Sequence, residues 1–234
     1  MEQPALQDFA DVSVWIFDLD NTLYPAEARL FDQVSARMTE WIMLTLRVDA
    51  AEAGRLRRHY WHEYGTTLAG LMRDHAIDPH DFLAHVHDID LTALRPDQRL
   101  AQAIRALPGR KIIHTNADTD YAARVLAARG LDGFDAIWGI GETGWHPKPD
   151  ERAYAMIRET MGFESQQAAM FEDAPRNLEV PFAQGMRTVL VGTGHDGPAD
   201  IAMPDTAGGH ITHRTLDLTA FLTRLAPVPA AMPV

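Results

Sequence analysis

Two aspartates one residue apart close a short apolar run in Trp15-Ile16-Phe17-Asp18-Leu19-Asp20-Asn21-Thr22-Leu23-Tyr24-Pro25. Alternation along an extended chain puts Asp18 and Asp20 on one side, where they can share a metal ion and a proton. Two carboxylates that close cannot both stay ionised and unpaired, so a divalent cation, a bound proton or both are implied. Aspartate is also common in turns, and an ordinary Asx turn at a strand end accounts for the same residues. Three later segments bear on the choice.

His114-Thr115-Asn116 follows a second apolar run; the Thr115 hydroxyl and Asn116 amide suit the holding of phosphoryl oxygens beside a helix N-terminus. In Trp145-His146-Pro147-Lys148-Pro149-Asp150, two prolines bracket a lysine, one of only two in the chain with Lys111. Prolines stiffen the backbone, so the ammonium is presented at low entropic cost, where it can neutralise a pentacovalent phosphorus centre and orient a nucleophile. Phe171-Glu172-Asp173-Ala174-Pro175 ends a further run. Adjacent carboxylates on a strand point to opposite sides, so Asp173 is the expected metal ligand, with Glu172 behind it holding Lys148. Oxygens from Asp18, Asp173 and the Asp20 carbonyl, completed by water and phosphate, suit Mg²⁺.

These segments need strands to carry them. Apolar runs at Val12–Phe17, Lys111–His114, Phe134–Trp138, Ala168–Phe171 and Thr188–Val191 read as strands. Helical patterns lie between the later ones: Thr119–Arg129, stopped by Gly130, and a helix capped by Asp150 that ends at Gly162. The alternation predicts an α/β fold, a parallel sheet with helices on both faces. Residues 26–95 break the rhythm. Leu30, Val34, Met38, Trp41 and Thr45 mark one amphipathic helix; Leu56, Tyr60 and Tyr64 a second; Leu68, Leu71, Met72 and His75 a third; Phe82, Leu83 and Val86 a fourth. The expected division is a core of 1–25 and 96–225, a helical insertion of 26–95, and a poorly ordered Pro/Ala-rich tail of 226–234.

The set Asp18-Leu19-Asp20-Asn21-Thr22-Leu23, Thr115-Asn116, Lys148 and Glu172-Asp173 resembles the four motifs of haloacid dehalogenase superfamily phosphatases, from about Val12 to Leu225. Leu23-Tyr24-Pro25, Glu63-Tyr64-Gly65 with Leu68 and Gly70-Leu71, and His146-Pro147-Lys148-Pro149 look like the pyrimidine 5′-nucleotidase branch. The resemblance implies a Rossmann-like core with an inserted all-helical C1 cap. It makes Asp18 the nucleophile that becomes an aspartyl-phosphate, and Asp20 the group that protonates the leaving oxygen and then activates water. It has Thr115 and Asn116 hold phosphoryl oxygens, Lys148 pair with Asp18 and phosphate, and Asp173 hold Mg²⁺. Tyr64, Leu68 and Leu71 are the expected cap contacts to the base or sugar. The expected substrate is a small phosphate ester, a pyrimidine nucleoside 5′-monophosphate first, with phosphoglycolate, a sugar phosphate or phosphomutase chemistry as alternatives. One departure stands out: Pro181 falls in the helix after Asp173 and predicts a kink or early stop, since its nitrogen cannot donate to the Asn177 carbonyl.

Several classes are set aside. A net charge of -12 over 234 residues argues against nucleic acid or an anionic membrane as partner. The longest apolar runs are strand-length, so no membrane span is expected. There is no cysteine, hence no thiolate metal site or cysteine nucleophile. Met1-Glu2-Gln3-Pro4 lacks the regions of a secretory signal, and the expectation is a cytoplasmic monomer or homodimer. Gly139-Ile140-Gly141-Glu142-Thr143-Gly144 spells a dinucleotide-binding pattern but runs into Trp145, Pro147 and Pro149 rather than a helix. His75, His80, His85 and His87 read as a solvated helical face, and Trp41, Tyr60 and Trp61 as core of the helical insertion, with base stacking open to one of these aromatics. A dehalogenase needs no second aspartate, and a phosphonatase needs a Schiff-base lysine that 26–95 does not contain.

Overall fold

In the computed structural model Val14–Phe17 (β1) is buried at every residue, because it lies in mid-sheet with helices over both faces. The structure describes residues 6–194 and 209–225, so the expectation for the tail 226–234 lies outside it. The other strands are Arg110–His114 (β2), Ala136–Trp138 (β3), Ala168–Glu172 (β4), Arg187–Val191 (β5) and His213–Thr215 (β6). Their order is β3-β2-β1-β4-β5-β6, and every neighbouring pair is parallel. The chain steps outward from β1 through β2 to β3, then returns to the other side of β1 with β4. The carboxyl ends of β1 and β4 therefore form the topological switch point, where open parallel sheets bind ligands.

Between β1 and β2 come Leu30–Leu46 (α1), Ala50–Tyr64 (α2), Thr67–His75 (α3), Pro79–Val86 (α4) and Gln98–Ala106 (α5). Later helices are Thr119–Arg129 (α6), Glu151–Met161 (α7), Glu179–Ala183 (α8) and Leu218–Leu225 (α9). Alternation along β1 divides the core. Trp15 and Phe17 pack with α5, α6 and α9 through Ile104, Tyr121, Val125 and Phe221. Val14 and Ile16 pack with Ile157, Phe163 and Leu178 on the opposite face. This is the α/β architecture the strand–helix alternation predicts.

The helices α1 to α4 bury their own cluster, built on Ile42, Tyr60, Leu68, Leu71, Phe82 and Val86. Their stripes follow those read from the sequence except at Thr45 and His75, which are exposed, and local caps fix their ends: Asp49, Thr66 and Asp78 each accept a backbone N–H of the following turn. At the α2–α3 contact, a Cβ on Gly70 would stand 2.2 Å from the Tyr60 ring, so only glycine permits that approach. Arg129, buried at the end of α6, holds both places where the chain crosses between the sheet and these helices. It donates to the Leu23 carbonyl at 3.1 Å, the Arg95 carbonyl at 2.6 Å and Asp97 at 3.0 Å.

Pro181 has the predicted effect. The chain after Asp173 makes a 3-10 turn over Pro175–Leu178 and then only the five residues of α8. The Asn177 carbonyl, which a non-proline residue would have satisfied, instead accepts the buried Tyr154 hydroxyl at 2.7 Å.

Candidate active site

The Lys148 ammonium ties three strand ends together. It donates to Asp18 Oδ1 just beyond β1 at 2.5 Å, to the His114 carbonyl on β2 at 2.9 Å and to Glu172 Oε2 on β4 at 2.7 Å. An ammonium has three hydrogens, and each has an acceptor here. Lys148 is 1% exposed. Burial alone would lower its pKa, but Asp18 and Glu172 outweigh burial and keep it above the usual lysine value, so it stays charged.

Asn116 positions that lysine. Its Oδ1 accepts from the Lys148 N–H at 2.8 Å, and its Nδ2 donates to the Lys148 carbonyl at 3.3 Å. The amide oxygen and one of the two Nδ2 hydrogens are thus committed to the Lys148 backbone, while the other hydrogen is left to donate and Asn116 lines the cavity. Thr115, buried beside it, accepts from the Ala117 N–H at 3.1 Å and keeps its own hydroxyl hydrogen to donate.

Asp20 lies on the wall of the same cavity. Its Oδ1 accepts from the Tyr24 hydroxyl at 2.6 Å and the Tyr121 hydroxyl at 3.1 Å. Burial raises its pKa, with the Tyr24 bond opposing. Burial beside Asp20 raises both phenols above the usual tyrosine value, so they remain donors.

Asp18, Glu172 and Asp173 each offer a carboxylate oxygen, all within 4.8 Å of one another and all buried. Burial, with Glu172 adding to it, pushes Asp18 up to about 8, and the same causes hold Asp173 well above the carboxylate range. Three carboxylates against one ammonium leave two negative charges over, which a divalent cation would balance. The all-oxygen donor set fits a hard ion. Glu172 has both oxygens engaged, Oε2 by Lys148 and Oε1 by the Ala174 N–H at 3.2 Å. Asp18 and Asp173 are therefore the side chains with an oxygen to spare for such an ion.

The helices α1 to α4 supply the rest of the cavity wall: Phe31, Val34, Met38, Trp61, Leu68 and Phe82 all face it. Tyr64 does not line it, which corrects its expected role, nor does Leu71. Tyr60 and Tyr64 are four residues apart, so their side chains share a face; Tyr64 lies against the Tyr60 ring and under the Arg73 guanidinium. Trp61, one residue on, is turned toward the cavity. Arg176, just after β4, stacks its guanidinium 3.9 Å over the Trp61 ring and donates to the Gly65 carbonyl at 2.6 Å.

His87 also departs from expectation. It is 7% exposed rather than on a solvated face. Its Nδ1 lies 2.5 Å from Asp118 Oδ2, and its ring stacks on Tyr121 with centroids 4.4 Å apart. A carboxylate partner and an aromatic face together make its burial possible. Helical spacing could not show either partner, because both come from beyond β2.

Comparison with known proteins adds three findings. A family model described as haloacid dehalogenase-like hydrolase matches residues 12–184. Phosphate metabolism protein 8 of Saccharomyces cerevisiae is 28% identical over 196 residues, 76% of this chain and 60% of that relative, so the match spans less than two thirds of that protein's length. Among solved structures, a 2-haloacid dehalogenase from Pseudomonas syringae has a TM-score of 0.57 at 18% identity, covering 92% of this chain and 100% of that one. The putative HAD-hydrolase YfnB from Bacillus subtilis, bound to magnesium, has a TM-score of 0.54 at 14% identity, covering 93% and 99%. Identities this low speak for the shared fold alone.

Proposed function

This chain belongs to the haloacid dehalogenase-like hydrolases, and we propose that within them it is a Mg²⁺-dependent phosphomonoester hydrolase working through an aspartyl-phosphate, with a pyrimidine nucleoside 5′-monophosphate as substrate. The observation that carries this reading is the second aspartate. Asp20 is held by two tyrosines on the wall of the cavity that Asp18 and Lys148 line, and dehalogenation has no need of such a group. The relative named for phosphate metabolism supports the same direction.

In the proposed reaction a carboxylate oxygen of Asp18 bonds to phosphorus as the P–O bond to the leaving group breaks, and Asp20 gives that oxygen its proton. Asp20 then takes a proton from water as the water oxygen bonds to phosphorus and the bond to Asp18 breaks. Thr115 donates to a phosphoryl oxygen, and Lys148 holds Asp18 in line and offsets charge. Asp18 and Asp173 would hold Mg²⁺, which would supply further positive charge against the phosphoryl oxygens. The helices α1 to α4 act as a cap whose Phe31, Trp61 and Phe82 give a planar base an apolar wall. Arg57 and Arg176 also line the cavity and favour a second reading, an acidic ester such as phosphoglycolate.

A phosphate-release panel of UMP, CMP, AMP, phosphoglycolate and hexose phosphates, with and without EDTA, tests this. The expected result is EDTA-sensitive release, fastest from UMP or CMP. Release from none of them would end the phosphatase reading, and preference for phosphoglycolate would select the second substrate.

The cation is tested through stability. Because the fold raises Asp18 to about 8, the metal-free native protein keeps a proton that the unfolded chain has lost, and stability declines as pH rises toward that value. A cation displaces the proton. Saturating Mg²⁺ should therefore raise Tm more at about pH 8 than at about pH 5. A gain that does not change with pH would count against a cation at Asp18.

A further inference from the structure

We propose that Tyr24 and Tyr121 are positioning residues for Asp20, and that His87 carries the seating of the helices α1 to α4 into that arrangement. The proposal rests on the hydrolase reading above and adds to it the part that aims the acid–base carboxylate.

Both tyrosine hydroxyls converge on one atom, Asp20 Oδ1, at 2.6 and 3.1 Å. No described residue donates to Oδ2. Two donors on one oxygen fix the rotation of the carboxylate and leave its other oxygen as the one to exchange a proton with substrate and water. The two rings are among the most deeply buried in the chain, Tyr24 at 2% and Tyr121 at 1% exposure, so neither hydroxyl can follow a carboxylate that turns away.

Tyr121 is in turn held from two directions. Asp118 Oδ1 accepts its backbone N–H at 2.7 Å, as the cap of α6. His87, the residue that ends α4, stacks on its ring with an interplanar angle of 14°. His87 is itself bonded to Asp118 through Nδ1, and its carbonyl accepts from Arg124 at 2.5 Å. His87, Asp118 and Tyr121 thus close a ring of contacts joining the end of the helical segment to the hydroxyl that aims Asp20. If α4 lifts from α6, the stacking partner leaves Tyr121, and the carboxylate loses part of its support. Sealing the cavity and readying the acid are then one event.

The test uses two leaving groups. An alkyl ester needs a proton as it departs, whereas p-nitrophenolate leaves without one, and kcat/KM reports the step in which the leaving group departs. The variants are Tyr24→Phe and Tyr121→Phe, which keep the buried rings, and His87→Ala with His87→Phe as its ring-restoring control. The alkyl probe is whichever of UMP, phosphoglycolate or glucose 6-phosphate the wild type turns over best. In each tyrosine variant kcat/KM should fall about tenfold or more on the alkyl ester and less than about threefold on p-nitrophenyl phosphate. His87→Ala should show the same selective loss, and His87→Phe should recover most of it. Equal losses on both esters, or no loss on the alkyl ester, would overturn the positioning role while leaving the hydrolase reading intact. A wild type that hydrolyses neither ester with Mg²⁺ present would remove the hydrolase reading and this inference with it.

Discussion

Asp18→Asn is expected to fold at close to wild-type stability and to lose turnover by about 10⁴-fold or more. The two halves of that expectation have different causes. Asparagine has the size and planarity of a carboxyl group, and the Asp18 side chain is buried with its pKa pushed to about 8. Near neutral pH the metal-free native state therefore holds Asp18 mainly as the neutral acid, which the amide imitates. Lys148 loses a charged partner but keeps the His114 carbonyl and Glu172. Turnover is another matter, because the amide oxygen is a poor nucleophile and a poorer ligand for a hard cation. The measurements are Tm without metal and phosphate release with Mg²⁺. Near-normal release from the variant would refute covalent catalysis at Asp18, and a collapse of Tm would show that its charge is needed for folding. The increase in Tm on adding Mg²⁺ should also shrink in this variant, since one of the two proposed ligands is gone.

Five of the six strands and the four site segments were legible because their signals are local; β6, three residues with only Thr215 buried, carries no apolar run to read. An apolar run that ends in acidic residues needs no partner to be seen, and a lysine between two prolines stands out in a chain with only one other lysine. Helices α1 to α4 were legible for the same reason: a 3.6-residue stripe is contained in the segment that carries it. What was not legible depends on pairs far apart in sequence. Tyr24 sits in the first motif and Tyr121 lies 97 positions on, and only the fold brings both to Asp20 Oδ1. Each also has an ordinary structural place, Tyr24 at the bend after β1 and Tyr121 on the buried face of α6.

His87 shows the opposite hazard, a sound local argument defeated by a distant partner. A histidine near a helix end with other histidines around it belongs in water, unless a carboxylate and a ring are waiting for it, as Asp118 and Tyr121 are here. Tyr64 failed for a third reason. Helical periodicity says that Tyr60 and Tyr64 share a face, but not which face turns to the ligand. Packing of α2 against α3 through Tyr60 and Gly70 turns that face inward and leaves Trp61 on the cavity.

Lys148→Met should produce the largest loss of stability of any single change at the site, about 3–5 kcal/mol near pH 8 in the absence of metal. Methionine fills a similar volume, so the loss would come from charge rather than from a cavity. Among the described residues the ammonium is the one cation donating directly to Asp18 and Glu172, and removing it leaves two buried carboxylates facing each other across the space it occupied. Asp18 can escape by protonating, and without the lysine opposing the effect of burial it would do so at a higher pH than in the wild type. The deficit should therefore be smallest at about pH 5, where that proton is already bound, and grow as pH rises through about 8. Urea unfolding of variant and wild type at both pH values gives the comparison. Mg²⁺ should restore part of the loss, because a divalent ion between Asp18 and Asp173 supplies charge to the same cluster, but it should not restore turnover. Stability equal to the wild type at about pH 8 would mean that the lysine does not hold the three strand ends together, and the nucleophile would then lack the group that fixes it in line.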